Sequence, residues 1–246
     1  LFNNTASNNT AVGFEAAYSN TVGSAVTAIG YQALRAATTA TESTAVGNQA
    51  LISNTTGSSN SAFGHWSSYF NTTGGANTSL GTLSGFANST GSSNTSIGYG
   101  SLQNNIADNN TAVGYQSGGS NTSGGAVTAM GYQALRSQTT GNNNTAIGFQ
   151  SMLNATTASF NTAIGYTSGG DIISASGNTC LGYGANTANG SSSIVIGTLA
   201  AATGSNQFVV GSGSFPSGTI TTEVVVSDRT WSVFINGTAY KILLKA

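Results

Sequence analysis

The sequence predicts an all-β chain: a parallel β-solenoid, or β-roll, of about thirteen coils with a 17-residue repeat, followed by an antiparallel β cap. Three observations carry that prediction. A short phrase closing on glycine returns at nearly constant spacing along most of the 246 residues, and the positions flanking that glycine keep their residue type from copy to copy. After Pro216, the only proline, the repeat gives way to period-two alternation.

The repeat is fixed by its glycines: Gly13, Gly30, Gly47, Gly64, Gly81, Gly98, Gly114, Gly131, Gly148, Gly165, Gly182, Gly197 and Gly211. The intervals are 17 five times, then 16, then 17 four times, then 15 and 14. The residue before each glycine is apolar, from Val12 and Ile29 to Ile196 and Val210. Two before it stands a small residue, Ala, Ser or Cys180, widening only to Val195 and Val209. Three before it is Thr or Ser until Ile194 and Phe208. An aromatic follows the glycine at Phe14, Tyr31, Tyr99, Tyr115, Tyr132, Phe149, Tyr166 and Tyr183.

Short segments rich in Thr, Val, Ile and Tyr between Asn and Gly read as strands. Along an extended chain the Thr, the aliphatic and the aromatic share one parity and the small residue takes the other. The expectation is that the aliphatic side, with its Thr, faces the interior, and that the small side faces outward and allows a close approach.

One short strand per 17 residues cannot bury an apolar side alone, whereas stacked coils place each slot above its equivalent. Ladders of identical residues result. Asn9, Asn60, Asn77, Asn94, Asn110, Asn144, Asn161 and Asn178 form one such column, and the strand threonines another. Both can hydrogen-bond along the stack, as amide ladders do in cross-β assemblies. That accounts for a folded chain with only 4% charged residues. A longer echo, "VTAIGYQALRAATT" from Val26 and "VTAMGYQALRSQTT" from Val127, points to duplication of a six-coil block.

The repeat spans 1–214. In 215–246 the sequence predicts strands over Thr221 to Val226, Trp231 to Ile235 and Ala239 to Leu244, with Asn236-Gly237 as a hairpin turn. This segment is read as a cap over the open end of the stack or, alternatively, as an attachment domain. With Leu1 in place of Met, a leader or N-terminal domain is expected to precede the chain.

Composition excludes several functions. Net charge is -1, with Arg35, Arg136, Arg229, Lys241 and Lys245 the only cations, so no basic patch suits nucleic acid or anionic lipid. No apolar run approaches a spanning helix, so no membrane insertion is expected. The one histidine, His65, cannot build a histidine metal cluster or a complete triad, and neither metal nor cofactor is expected. Glu15, Glu42, Asp108 and Asp171 fall in different registers on distant coils. They make a poor carboxylate pair for glycoside cleavage, so the chain is read as non-enzymatic. Cys180 occupies the small slot and reads as packing. The sequons at Asn54, Asn71 and Asn88 read as by-products of Asn and Thr repetition. "GHWSSYF" has two readings. His65 is a core substitution in the aromatic slot, or His65, Trp66, Tyr69 and Phe70 form an exposed patch that stacks on sugar rings.

The "NTAIGY" and "SIVIG" phrases, with glycine closing each coil, resemble the head repeats of YadA-like trimeric autotransporter adhesins, similar repeats of which occur in bacteriophage and cyanophage fibre proteins. The resemblance covers Leu1 to about Ser214. It implies a left-handed parallel β-roll, three chains side by side, and surface binding. The coils here run longer than the family's, and heptad stalk, neck and membrane anchor are missing from this sequence, which favours a virion fibre over a bacterial adhesin. A thin core with a strictly small slot on its other side independently suggests close packing of further chains.

The expected function is therefore a homotrimeric structural fibre or spike on a virion surface. It would contact other virion proteins and host cell-surface polysaccharide through variable arcs such as "GGSNTSGGA" from Gly118 and "GGDIISASG" from Gly169. The alternatives are the extracellular head of a bacterial adhesin and an ice-binding solenoid. The last needs an outward threonine face, against the parity expected above.

Overall fold

A computed structural model describes residues 4–212, 230–235 and 238–243. The chain divides into two compact units, Leu1–Phe215 and Pro216–Ala246. The first is a β-solenoid whose thirteen strands, from Thr10–Val12 to Phe208–Val210, are three residues long and pair in sequence order as one parallel sheet. Register follows the repeat letter for letter: Thr10 pairs with Thr27, Ala11 with Ala28 and Val12 with Ile29, and so on to Val195 with Val209.

The strands are short because glycine ends each one in a conformation closed to other residues. Gly30 holds φ at 135° and Gly114 at 133°, and a Cβ on Gly114 would lie 2.5 Å from the Gly131 carbonyl oxygen. The thirteen glycines thus stand in a column. Beyond them the chain continues as turns whose amides still bond from coil to coil: Gln32 donates to Phe14 at 2.8 Å and Leu34 to Ala50 at 2.9 Å. The left-handed turn positions are not reserved for glycine, since Gln32, Leu34 and Glu42 hold φ of 52°, 52° and 54°.

Inside and outside are the reverse of the sequence expectation. The small slot faces the core, where Ala28, Ala45, Ala129, Ala146, Ala163 and Cys180 have no exposed surface. The aliphatic slot faces out, with Val12 58% and Leu80 48% exposed. The reason is what else fills the interior. Four past five of the glycines stand Leu34, Leu51, Leu102, Leu135 and Met152, fully or almost fully buried. Leu102, Ala112 and Ala129 meet around Gly118, so the inward strand residue has room for little beyond a methyl group.

Two amide columns complete the interior. In the expected one, Asn60 Oδ1 accepts the Asn77 amide N–H at 3.0 Å and Asn77 Oδ1 accepts that of Asn94 at 2.9 Å. The second lies seven past the glycine and was not foreseen. Asn71 Nδ2 donates to Asn54 Oδ1 at 2.8 Å, and Asn121 Nδ2 to Asn105 Oδ1 at 2.8 Å. Asn110 Nδ2 donates to Asn105 Oδ1 at 3.0 Å, joining the two columns. The hydrogen-bonded threonines are also a different set from the strand ones: Thr55 Oγ1 donates to the Thr72 carbonyl at 3.0 Å and Thr139 Oγ1 to that of Thr156 at 3.1 Å.

The apolar core is in two pieces. One runs from Ala16 to Ala62 and the other from Leu102 to Ala202. Between them the interior is lined by Ser67, Ser68, Ser79, Ser84, Ser96 and Ser101. Ser68, Ser79 and Ser96 share a hydroxyl chain at 2.7 and 2.9 Å, while Ser67 Oγ has no partner.

The second unit contains Thr230–Ile235 and Thr238–Leu243, antiparallel with Ile235 opposite Thr238. These match two of the three strands expected there. The third, Thr221 to Val226, and the Asn236-Gly237 turn lie outside the described residues.

Candidate binding surface

The outward strand face exposes apolar side chains along the solenoid. Its aliphatic column lies alongside the aromatic one that follows the glycines. Tyr99, Tyr115, Tyr132, Phe149, Tyr166 and Tyr183 stack continuously, with centroids 4.9–5.4 Å apart and planes within 16° of parallel. Phe14 and Tyr31 make a separate pair at 5.5 Å. Each ring of the long stack is between 38% and 51% exposed, so the six present on the order of 500 Å². That is the size of the largest apolar patch on a typical single-copy protein, and such patches are often functional.

The stack is interrupted at Asn48, His65 and Thr82. At that interruption lies a second kind of aromatic surface. His65 is exposed, so it is not a core substitution. Its ring stacks on Trp66 at 4.4 Å. Trp66 meets Tyr69 at 5.9 Å, and Tyr69 meets Phe70 edge to face at 4.7 Å. The four residues of the sequence-predicted patch are therefore brought together. A fifth joins them: Phe86, 5.0 Å from Phe70 and 5.5 Å from Tyr69. Phe86 was missed, although it stands 17 residues after Tyr69 and so directly over it in the stack. Trp66 takes the place that Gln32 and Gln49 hold in earlier coils, and its Nε1 donates to Gln49 Oε1 at 2.7 Å.

This patch covers the coils whose interior is serine. Rings outside stand where leucines are missing within, so packing alone gives them one role. Their arrangement also provides exposed ring faces and edges, with no charged residue in 61–101. Such a surface suits the C–H faces of neutral sugars.

The carboxylates are dispersed. Glu15 Oε2 accepts from Gln32 Nε2 at 2.8 Å and Arg35 Nε at 2.6 Å, and these bonds hold its pKa below the ordinary value. Glu42 Oε2 accepts from Ser59 Oγ at 3.3 Å, and Asp108 Oδ1 accepts the Ser92 amide N–H at 2.6 Å. Burial pushes the Cys180 thiol up to about 11. Asn54, Asn71 and Asn88, which form sequons, are buried members of the second amide column.

The two variable arcs differ. In 118–126, Gly118, Gly119, Asn121 and Gly124 are buried, and Thr122, Ser123 and Ala126 are exposed. In 169–177, Asp171, Ile173, Ser174 and Gly177 are exposed.

No family model matches the chain, and no curated protein or solved structure matches it.

Proposed function

We propose that the chain is a non-enzymatic structural fibre of a virion surface. Three copies associate along the outward strand face, and the aromatic patch adheres to host-surface glycans. The observation that carries this reading is the outward apolar face, with an aliphatic column from Val12 to Val210 beside the six-ring stack, which a stable association of copies would cover. The sequence-based expectation placed the contact on the small side; the interior position of that side moves it to the aliphatic and aromatic columns. The resemblance to trimeric fibre repeats sets the number at three.

Sedimentation tests it. The native chain is expected at three times the monomer mass, and Val113→Glu with Ile147→Glu, both on that face, is expected to release monomers that keep their β signature. A monomeric native chain would refute the association. For adhesion, the trimer is expected to bind host envelope polysaccharide without shortening it, and Trp66→Ala to weaken that binding about tenfold. Electron microscopy of intact particles separates the virion fibre from a bacterial adhesin head, which the same architecture serves.

The ice-binding reading gains one observation. The strand threonines face outward rather than inward, which removes the objection raised from parity. Thermal hysteresis in cooled solutions tests it, and the bulky aliphatic column beside those threonines argues for a protein-covered face instead.

A further inference from the structure

A notch interrupts the side of the solenoid at Gly170. In successive coils, the position five past the repeat glycine carries Arg136, Leu153 and then Gly170, and the position two past it carries Gln150, Thr167 and then Gly184. The two columns lose their side chains in adjoining coils, those of Gly165 and Gly182. Two adjoining hollows of about 260 and 380 Å³ result, sharing Asn154, Gly170 and Asp171. None of their lining residues belongs to the aliphatic and aromatic columns assigned above to contact between copies.

The groups lining the notch are not consumed by the fold. A ladder of Gln116, Gln133 and Gln150 ends here: Gln133 Nε2 donates to Gln116 Oε1 at 3.3 Å and Gln150 Nε2 to Gln133 Oε1 at 3.0 Å, and with Thr167 next the Gln150 Oε1 accepts nothing from the following coil. Asn154 Nδ2 donates to the Gly170 carbonyl at 2.9 Å, which leaves its Oδ1 open. Asn186 Oδ1 accepts the amides of Asp171 at 3.2 Å and Thr187 at 2.9 Å, leaving its Nδ2 as a donor. Asn189 Oδ1 is held by the amides of Ile173, Ser174 and Ala175 at 2.9–3.2 Å, so its Nδ2 is also a donor. The Asp171 carboxylate forms no hydrogen bond or ion pair among the described residues.

We propose that this notch is a subsite for a neutral hexopyranose. The Asp171 carboxylate and the Asn154 and Gln150 oxygens accept from sugar hydroxyls, the Asn186 and Asn189 amides donate to them, and Leu153 and Ile173 supply apolar contact. A mixed set of oriented donors and acceptors matches vicinal hydroxyls, each of which both donates and accepts. A bare cation would leave the two amide donors unused. The proposal deepens the glycan-binding reading and rests on it, but it concerns a surface separate from the aromatic patch.

Saturation-transfer NMR on the intact chain tests it, using the methyl glycosides of glucose, mannose and galactose as probes. At least one is expected to receive saturation on its ring protons. Asp171→Ala is expected to weaken that binding about tenfold. Gly170→Leu, which restores the side chain that Leu153 supplies one coil earlier, is expected to abolish it in a Trp66→Ala background, where the aromatic patch no longer contributes. Binding that survives both notch variants, or that disappears only with Trp66→Ala, would overturn the subsite while leaving glycan adhesion standing. If none of the three probes receives saturation while the chain still binds host polysaccharide, the notch assignment fails alone; loss of both overturns the wider reading.

Discussion

Gly47 and Gly64 meet so closely that a Cβ on Gly47 would stand 2.4 Å from the Gly64 carbonyl oxygen, at a φ of 140°. Both the space and the backbone angle exclude a side chain. Alanine in the middle of this column, at Gly98 or Gly114, is therefore expected to cost about 3 kcal/mol or more, through strain and overpacking together. Gly125→Ala is the control, since its nearest contact would be 3.5 Å away, and it is expected to stay within about 0.5 kcal/mol. Thermal unfolding of the three variants reads the difference; equal losses would refute the column as the source of stability.

Cys180 offers a probe of the inward face. With no exposed surface and a thiol pKa pushed up to about 11, it is expected to ignore a disulfide reagent at pH 8 and to react fully once the chain is unfolded. Prompt reaction of the native protein would place the small slot outside after all.

The Glu15–Arg35 ion pair sits in the first coils, where Gln32 and Arg35 lower the Glu15 pKa from 4.5. A lowered folded-state value contributes stability that is present above the unfolded pKa and lost as pH falls through the folded one. Amides of residues 15–35 are expected to keep their protection at pH 5 and to lose part of it below about pH 4. Glu15→Gln should remove that step; if it persists unchanged, another group is responsible.

The serine-lined interior predicts a weak zone. Ser68 and Gly85 donate their amides at 2.9 Å, as Leu34 does, so hydrogen-bond geometry does not distinguish them. What differs is the missing leucine, whose burial contributes about 1.5–3 kcal/mol. Hydrogen exchange at Ser68 and Gly85 is expected to be about 30-fold faster than at Leu34 and Leu135, a difference of ~2 kcal/mol. Equal protection would mean that Trp66, Tyr69, Phe70 and Phe86 replace from outside what the core lacks.

The architecture was legible in the sequence because coil stacking makes identical letters neighbours. Gly13 to Gly211, the strand register and the first asparagine column follow from spacing alone. The side facing inward was not legible from the strand. Alternation separates Ala28 from Ile29 and Thr27 without saying which side is enclosed. That is decided by turn residues, Leu34 and the amides around it, whose burial depends on left-handed backbone angles that propensity does not anticipate for leucine. The second amide column was in view at Asn54, Asn71 and Asn88, but a glycosylation motif and a buried ladder are written in the same letters. The aromatic patch was found because its four residues are close in sequence. Phe86 needed the vertical neighbour relation that the repeat itself supplies.

The in-register pairing from Thr10 to Val210 has a consequence for reach. Removing or copying 17 residues brings floors together in the same register as before, so the length of the stack can be reset in steps of about 4.8 Å, like the marks of a ruler. A lineage can lengthen or shorten the stack without redesigning any floor.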